Sequence, residues 1–157
     1  MIGDPSGKTK MRRTMNQSEI EENCSKIASQ IKHYLTPQKN LIFANNAEWL
    51  LNLKHIDFLR DVGKYFKVNE MIKAEAYKQR LDRQEGLSFI EFNYQLLQAY
   101  DFLVLFDKHN CRLQMGGDDQ WGNMLAGVNL VRRMRNEDVY ALTFPLLTTA
   151  RGVKMGK

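Results

Sequence analysis

Three polar residues recur along one side of a predicted long helix. Tyr94, Gln98 and Asp101 lie four and three positions apart, and at about 100° per residue they fall within a sector of about 60°. No charged residue occurs between positions 92 and 100, whereas a solvated helix face usually carries Lys, Glu or Arg. The pattern therefore predicts a helix buried on both sides. Its opposite, apolar side consists of Phe92, Leu96, Ala99 and Leu103.

A buried carboxylate is costly unless another group pairs with it. Asp101 therefore needs partners, and these are either a polar ligand or other side chains of the protein. In the first case Tyr94, Gln98 and Asp101 form a binding stripe, and in the second they form an internal network. The residues alone leave both alternatives open.

A glycine-rich turn is the second candidate site. Residues 114–123 read Gln-Met-Gly-Gly-Asp-Asp-Gln-Trp-Gly-Asn, follow a predicted strand and open a predicted helix. In open α/β sheets, ligands bind at the carboxyl ends of strands, where glycine permits close backbone approach. A carboxylate there can accept a hydrogen bond from a ribose hydroxyl, and a glutamine can donate to a carboxylate. Taken alone, such a turn is common.

Residues 3–8, Gly-Asp-Pro-Ser-Gly-Lys, form a third candidate, a loop whose amides can face an anion. A Walker phosphate loop needs four residues between its glycines, but only three separate Gly3 from Gly7. That interpretation therefore fails. Asp4 beside Lys8 and Arg12 suits a ligand of mixed charge, and the alternative is a Pro/Gly turn before a capped helix.

Composition limits the class of protein. With 43% hydrophobic and 26% charged residues, the chain of 157 residues fits one globular domain and not a disordered segment. A net charge of +5 is compatible with anionic ligands or nucleic acid. The absence of a long apolar run argues against a membrane span, and the two cysteines cannot form a disulfide framework, which predicts a cytoplasmic protein. The three scattered histidines predict no metal site.

Periodicity predicts the elements that position these residues. Ser18 and Glu21 have the spacing of a capping box at the start of a helix that Thr36 and Pro37 end. Strands alternate with helices, which is typical of an α/β fold with a parallel sheet. The further helical patterns cover 56–66, 68–81, 89–107 and 118–135, and the strand patterns cover 41–44, 111–115 and 139–144.

Together these segments resemble the tyrosyl-tRNA synthetases in order and spacing. The resemblance covers essentially the whole chain and rests on residues 3–8, 92–101, 113–123 and 154–157, with a further similar stretch at 58–64. It implies a class I, Rossmann-like catalytic domain, of which residues 1–157 are the central part. It also implies a helical connective insertion at about 45–88, with the N-terminal strand and helix portion and the anticodon-binding domain absent.

The resemblance implies roles for the polar stripe. Asp4, Tyr94 and Gln98 match the groups around the α-ammonium of tyrosine, and Asp101 matches the acceptor of the phenolic hydroxyl. Phenylalanine would leave Asp101 unpaired in a dry pocket, which explains how such a site rejects it.

A second set of positions resembles the groups around the adenylate. Gly117 and Asp119 match the ribose-binding pair and Gly116 lies beside them. Gln120 matches the group on the tyrosine carboxylate, and Gln114 a supporting residue.

Basic residues near both ends resemble the cations that bind the leaving pyrophosphate. Residues 154–157, Lys-Met-Gly-Lys, match the first four positions of the family's Lys-Met-Ser-Lys-Ser loop, with Gly for the first Ser. An additional residue before Thr14 leaves the choice between Arg12 and Arg13 open. The implied catalytic residues are Lys8, Arg12, Lys154 and Lys157, the last also at the ATP site.

The implied reaction needs no protein nucleophile. The tyrosine carboxylate attacks the α-phosphorus of ATP, giving tyrosyl-adenylate and pyrophosphate, and the 3′-terminal adenosine of the tRNA then takes the acyl group. Positioning and cationic stabilisation, with Mg²⁺ on the phosphates, supply the catalysis. The implied partners are L-tyrosine, ATP, tRNA(Tyr) and a second copy of the chain at Phe89, with no tightly bound cofactor and no membrane.

The sequence also departs from the family pattern. The His-Ile-Gly-His segment that binds ATP in the family does not occur in it, and Asp118 stands where Ser is commoner. We therefore expect a fragment that is inactive alone. Two alternatives stay open: a non-catalytic relative that binds RNA or a protein partner, and a generic NTP-binding switch.

Overall fold

The computed structural model describes residues 15–35, 41–82, 84, 86–152 and 155. Two parallel strands flank the crossover helix α7, which packs on the long helix α6. The helices are α1 (Gln17–Tyr34), α2 (Ala47–Leu50), α3 (His55–Asp61), α4 (Val68–Met71), α5 (Glu75–Asp82), α6 (Phe89–His109) and α7 (Trp121–Arg135). The strands are β1 (Leu113–Gly117) and β2 (Tyr140–Phe144), and 3₁₀ turns cover Gly63–Tyr65 and Asp118–Gln120.

The predicted parallel pairing is confirmed. Leu113 faces Tyr140 and the register runs without a slip to Gly117 opposite Phe144. The strands begin one or two residues later than predicted, and the predicted helix at 118–135 opens with the 3₁₀ turn. Parallel strands need a crossover connection, which α7 provides here.

The core lies between α6 and α7. Phe102, Leu130 and Val131 are almost completely buried there. The two helices approach closely at Gly127, where an added Cβ would lie 3.0 Å from the Phe102 ring. At their carboxyl ends Arg135 binds the Asp107 carboxylate through two nitrogens, at 2.7 and 2.8 Å. Together these contacts fix the axis of α6, which carries the predicted polar stripe.

The long helix α6 matches its prediction closely. Ser88 caps it and exchanges hydrogen bonds with Glu91 in a capping box, and Asn110 ends it in the left-handed conformation, with φ of 50°. The predicted apolar side is confirmed, because Leu96, Ala99 and Leu103 are buried.

The start of α1 differs from its prediction. Asn16 and Glu19 form the capping box, and not Ser18 and Glu21. Asn is as good an N-cap residue as Ser, and Asn16 also stands three residues before a glutamate, so the helix begins two residues earlier. The helix has no buried residue.

The prediction of a buried strand at residues 41–44 is wrong. The segment belongs to no strand, and Leu41, Ile42 and Phe43 are exposed. An apolar run forms a strand only when a neighbouring strand accepts its hydrogen bonds, and within the described residues none lies beside it. The side chain of Phe43 instead lies 5.2 Å from the Lys32 ammonium.

The two helices predicted over 56–66 and 68–81 are broken into shorter ones. Helix α3 ends at Asp61 and a 3₁₀ turn follows it, while Lys67 and the residues after Met71 separate α4 and α5 from their neighbours. The segment from α3 to α5 packs on α6, where the Phe58 and Tyr100 rings meet edge to face at 5.5 Å. None of the described helices is both long and apolar enough to cross a bilayer.

Candidate functional site

Several predicted site residues lie outside the described part of the chain. These are Asp4, Lys8, Arg12 or Arg13, Lys154 and Lys157. The assignment of the first to the ammonium of tyrosine and of the others to pyrophosphate stays a prediction.

Asp101 lies at the centre of the described polar site. Its Oδ1 accepts a hydrogen bond from the Trp49 indole at 2.7 Å, and its Oδ2 accepts one from the Asn46 amide at 3.1 Å. Asn46 and Trp49 stand three positions apart at α2, so both side chains project from one side of a single helical turn. The internal network that the sequence left open is therefore present, and its donors come from α2.

The environment of Asp101 acts on its charge in two directions. Burial raises the pKa of the Asp101 carboxyl above its usual value, while the hydrogen bonds from Asn46 and Trp49 oppose that rise. Donors to the carboxylate favour the ionised form, and loss of water disfavours it. A carboxylate offers about four acceptor positions, so two donors leave room for a hydroxyl from a ligand.

Trp49 is held from two sides. Its indole N–H is committed to Asp101, and the Lys108 ammonium lies 5.5 Å from the ring centroid. The ring itself is buried. The donor that fixes Asp101 is thus itself fixed, as a preorganised site requires.

Tyr94 and Gln98 occupy the same side of α6 as Asp101, and both are half-buried. The hydrogen bonds of Asp101 go to α2 and to neither of them. The structure thus places the three predicted residues on one helix face without joining them directly.

The glycine-rich turn brings its predicted residues together. A Cβ at Gly117 would lie 2.5 Å from Leu146 Cδ2 and 2.9 Å from Asp119 Oδ1, and one at Gly116 would lie 3.3 Å from Gln120 Cβ. Side chains at these two positions would therefore collide with Leu146 or press on Gln120. Glycine at these positions leaves room for the side chains of Leu146, Asp119 and Gln120 beside the end of β1.

Gln114 carries an unsatisfied atom. Its Oε1 is buried without a hydrogen-bond partner among the described residues. Buried acceptors without donors are rare in native proteins, so Gln114 is suited to receive a donor from outside the described residues.

A cleft of about 640 Å³ lies between the segment from α3 to α5 and helix α7, and the polar stripe is not part of its lining. Of the predicted site residues, only Asp119 lines it, next to Asp118. The described part of the chain contains no cluster of His, Cys, Asp or Glu that could hold a metal ion.

The comparisons with known proteins decide the family. The family model described as tRNA synthetases class I (W and Y) matches residues 1–157. This chain belongs to that family. The tyrosine–tRNA ligases of Desulfatibacillum aliphaticivorans and Syntrophus aciditrophicus are 54% identical over 157 residues and 57% identical over 158 residues. Each alignment covers 100% of this chain and 36% of the relative.

A solved structure supports the fold. The C-terminally truncated mitochondrial tyrosyl-tRNA synthetase of Aspergillus nidulans superposes with a TM-score of 0.68 at 27% identity, over 99% of this chain and 51% of that one. The predicted Rossmann-like α/β fold of a class I synthetase is confirmed. The chain spans about a third of the length of the curated relatives it matches.

Sequence reasoning missed two residues of this site, Asn46 and Trp49. A buried tryptophan must find an acceptor for its indole N–H, and an amide three positions before it marks a common helix side. This spacing could have predicted a shared polar contact for Asn46 and Trp49, but not that Asp101 is the acceptor.

Proposed function

We propose that this chain is the part of a tyrosine–tRNA ligase that recognises L-tyrosine and the adenylate. The observation that supports it is the half-buried Asp101 carboxylate, which two donors fix and which retains acceptor capacity on a stripe with Tyr94 and Gln98. The phenolic hydroxyl of tyrosine donates to Asp101. Tyr94 and Gln98, with Asp4, surround the ammonium.

Rejection of phenylalanine follows from the same geometry. When phenylalanine enters, Asp101 loses water without gaining a hydroxyl. A site built to bind a hydroxyl rejects the analogue without it more strongly than an apolar pocket rejects a methylene. Asn46 and Trp49 increase this selectivity, since they prevent the carboxylate from turning away.

In the proposed reaction the chain positions the substrates and supplies no nucleophile. MgATP enters as a substrate, with its ribose at Gly117 and Asp119 and its α-phosphorus facing the tyrosine carboxylate near Gln120, which Gln114 supports. The pyrophosphate leaves toward Lys8, Arg12, Lys154 and Lys157. Mg²⁺ on the phosphates offsets their charge. tRNA(Tyr) then takes the tyrosyl group.

The same proposal assigns the chain to the central part of the catalytic domain, with residues 45–88 as the connective insertion. It places a second copy of the chain against Phe89, whose side chain is 70% exposed at the start of α6. Aromatic side chains are enriched at protein interfaces. We also place the protein in the cytoplasm, where ATP and tRNA are available, and expect no pyrophosphate exchange from the 157-residue chain alone.

Calorimetric titration of the chain with tyrosine and with phenylalanine tests this function. We expect saturable tyrosine binding, at least 10-fold weaker phenylalanine binding, and loss of that preference in Asp101→Ala. Glu22→Ala is the control, because it removes an exposed carboxylate of α1 that lies outside the stripe. Equal affinity of both ligands for the unaltered chain would contradict the proposal, and RNA binding without tyrosine binding would favour a non-catalytic relative.

A further inference from the structure

A lysine extends the contacts of Asp101 by one step. The carboxylate accepts the indole N–H of Trp49 at 2.7 Å, and the Lys108 ammonium lies over the same indole, 5.5 Å from the ring centroid. This distance is within the reach of about 6 Å of a cation–π contact. The carboxylate next to Lys108 in sequence, that of Asp107, pairs with Arg135 at 2.7 Å instead.

The spacing along α6 makes this arrangement possible. Asp101 and Lys108 are seven residues apart, so they lie about 20° apart around the helix axis and about 10.5 Å apart along it. The side chain of Trp49 bridges this interval, with its N–H at Asp101 and its ring at the ammonium. Two turns of one helix thus hold one indole from both ends.

Helix α2, which carries Trp49, has only four residues, Ala47–Leu50. A single helical turn is not stable by itself in water. The place of α2 on α6 therefore depends on side-chain contacts, and the Trp49 ring, which is 9% exposed, is central to them. A group that fixes this ring also fixes the direction of its N–H.

The Lys108 ammonium acts on the indole in two ways. It holds the ring in place, because a displaced ring loses the attraction between the cation and its π face. It also draws electron density from the ring, which makes the N–H a stronger donor, since polar groups joined in series polarise one another. Both effects favour an Asp101 carboxylate that is ionised and held in one orientation.

This support is not general among the buried polar side chains of α6. Gln95 is 7% exposed, and its Nε2 donates to the Gly122 carbonyl at 3.3 Å. Its Oε1 has no partner among the described residues. The contacts that fix both oxygens of Asp101 are therefore a specific feature of the polar stripe.

We propose that Lys108 is a positioning residue for the selection of tyrosine: its ammonium fixes Trp49, and Trp49 holds the Asp101 carboxylate toward the phenolic hydroxyl. The inference rests on the proposed function, because it requires that tyrosine donates to Asp101. Loss of the charge at position 108 should weaken the binding of tyrosine. It should not weaken that of phenylalanine, which donates nothing to Asp101.

Lys108→Met tests the proposal, because it removes the charge and keeps an unbranched side chain. In calorimetric titrations it should weaken tyrosine binding about 2–5-fold, the range of an exposed cation–π contact, and change phenylalanine binding by less than about 1.5-fold. Lys108→Arg should restore tyrosine binding, since a guanidinium also stacks on aromatic faces. A contribution of the aliphatic stem alone would survive in Lys108→Met.

Lys64→Met is the matched control. The Lys64 ammonium lies 5.2 Å from the centroid of the Tyr65 ring, so this variant removes a cation–π contact of the same kind that does not include Trp49. Both amino acids should bind to it as they do to the unaltered chain.

A second measurement follows Trp49 without a ligand. In a Trp121→Phe background, Trp49 is the only tryptophan. Its indole N–H should exchange with solvent about 2–5-fold faster in Lys108→Met, because opening of the hydrogen bond to Asp101 no longer breaks the contact with the cation. NMR measures this exchange, and Lys108→Arg should restore the slower rate.

A double-mutant cycle shows whether the effect passes through the indole N–H. Trp49→Phe keeps an aromatic ring and removes the donor. In this background, Lys108→Met should change tyrosine binding by less than about 1.5-fold. A cation that acted on Asp101 directly would weaken tyrosine binding there as much as in the unaltered chain, which would overturn the proposal.

Two further results would overturn the role of Lys108 while the proposed function stands. One is a chain that prefers tyrosine and keeps that preference in full in Lys108→Met. The other is an exchange rate of the Trp49 N–H that Lys108→Met does not change. If the unaltered chain shows no preference for tyrosine, the proposed function fails, and the exchange rate alone then decides whether Lys108 positions Trp49.

Discussion

Asp101 and Gln95 lie six residues apart on α6, and the chain withdraws both polar side chains from water. Both oxygens of Asp101 accept hydrogen bonds from α2, whereas the Oε1 of Gln95 accepts none from the described residues. The first group is held ready for a ligand by other side chains of the protein, whereas the second has no donor among the described residues. One helix thus presents a preorganised site and an unsatisfied one.

The two tryptophans, Trp49 beside Asp101 and Trp121 at the cleft, should differ most in their contribution to stability. Trp49→Ala should lower the free energy of unfolding by about 3–5 kcal/mol, because it removes a buried ring and leaves Asp101 with one donor. Trp121→Ala, at the half-exposed ring of the cleft, should change it by less than about 1 kcal/mol. Urea denaturation measures both, and comparable losses would mean that the cleft ring is part of the core.

Replacing Asn46, the other donor to Asp101, tests the hydrogen bond without removing a buried ring. Asn46→Ala should cost about 1–3 kcal/mol, because the buried Asp101 carboxylate then keeps a single donor. Asn69→Ala is the control, because it removes an exposed amide of α4. If the Asn46 and Asn69 variants unfold at the same urea concentration, Asn46 does not support Asp101.

The raised pKa of Asp101 predicts that the stability of the folded protein depends on pH. Because burial raises the pKa of Asp101 in the folded state above its ordinary value of 3.8, the folded protein keeps this proton to a higher pH than the unfolded one. The contribution of Asp101 to stability is therefore fully present below pH 3.8 and is lost as pH rises through the folded pKa. Asp101→Asn should abolish this loss, as measured by thermal unfolding between pH 3 and 8.

Asp61 serves as a control, because its pKa is shifted in the direction opposite to that of Asp101. The guanidinium of Arg60 lowers the pKa of the Asp61 carboxyl, so its contribution is present above the unfolded pKa and fades as pH falls. Identical pH profiles for Asp101→Asn and Asp61→Asn would contradict the assignment of a raised pKa to Asp101.

Gln95→Met should have the smallest effect on stability, and of opposite sign. Replacing the amide with an apolar chain of similar length removes the orphan oxygen together with one long hydrogen bond, so the free energy of unfolding should stay equal or rise by up to about 1 kcal/mol. Gln98→Met on the polar stripe is the matched substitution. A clear loss of stability in Gln95→Met would show that a water molecule already satisfies Oε1.

Apolar periodicity and short apolar runs predicted the elements whose form is determined by neighbouring residues in the sequence. The apolar periodicity of α6 located its buried side, and the short apolar runs around α7 located two parallel strands. Residues 41–44 show where this fails, because their apolar run is typical of a strand but a strand also needs a partner ladder. The predicted cap of α1 was wrong for another reason. Asn16 and Ser18 are both good N-cap residues, and each has a glutamate three positions later.

Some contacts of the candidate site were likewise predictable from the sequence and others were not. Gly117 and Asp119 are neighbours in sequence, so their contact followed from the turn itself. The partners of Asp101 did not follow, because Trp49 lies 52 residues away and reaches Asp101 only through the packing of α2 on α6. The orphan state of Gln95 is equally hidden, since a sequence does not show which of two amide atoms finds a partner.

The indole N–H of Trp49 reports most directly on whether Asp101 takes the phenolic hydroxyl. We predict that its NMR resonance, distinguished from that of Trp121 by Trp121→Phe, shifts when tyrosine is added and stays in place with phenylalanine. It should not respond to either ligand in Asp101→Ala. Equal shifts with both amino acids, or none with tyrosine at a saturating concentration, would contradict the account.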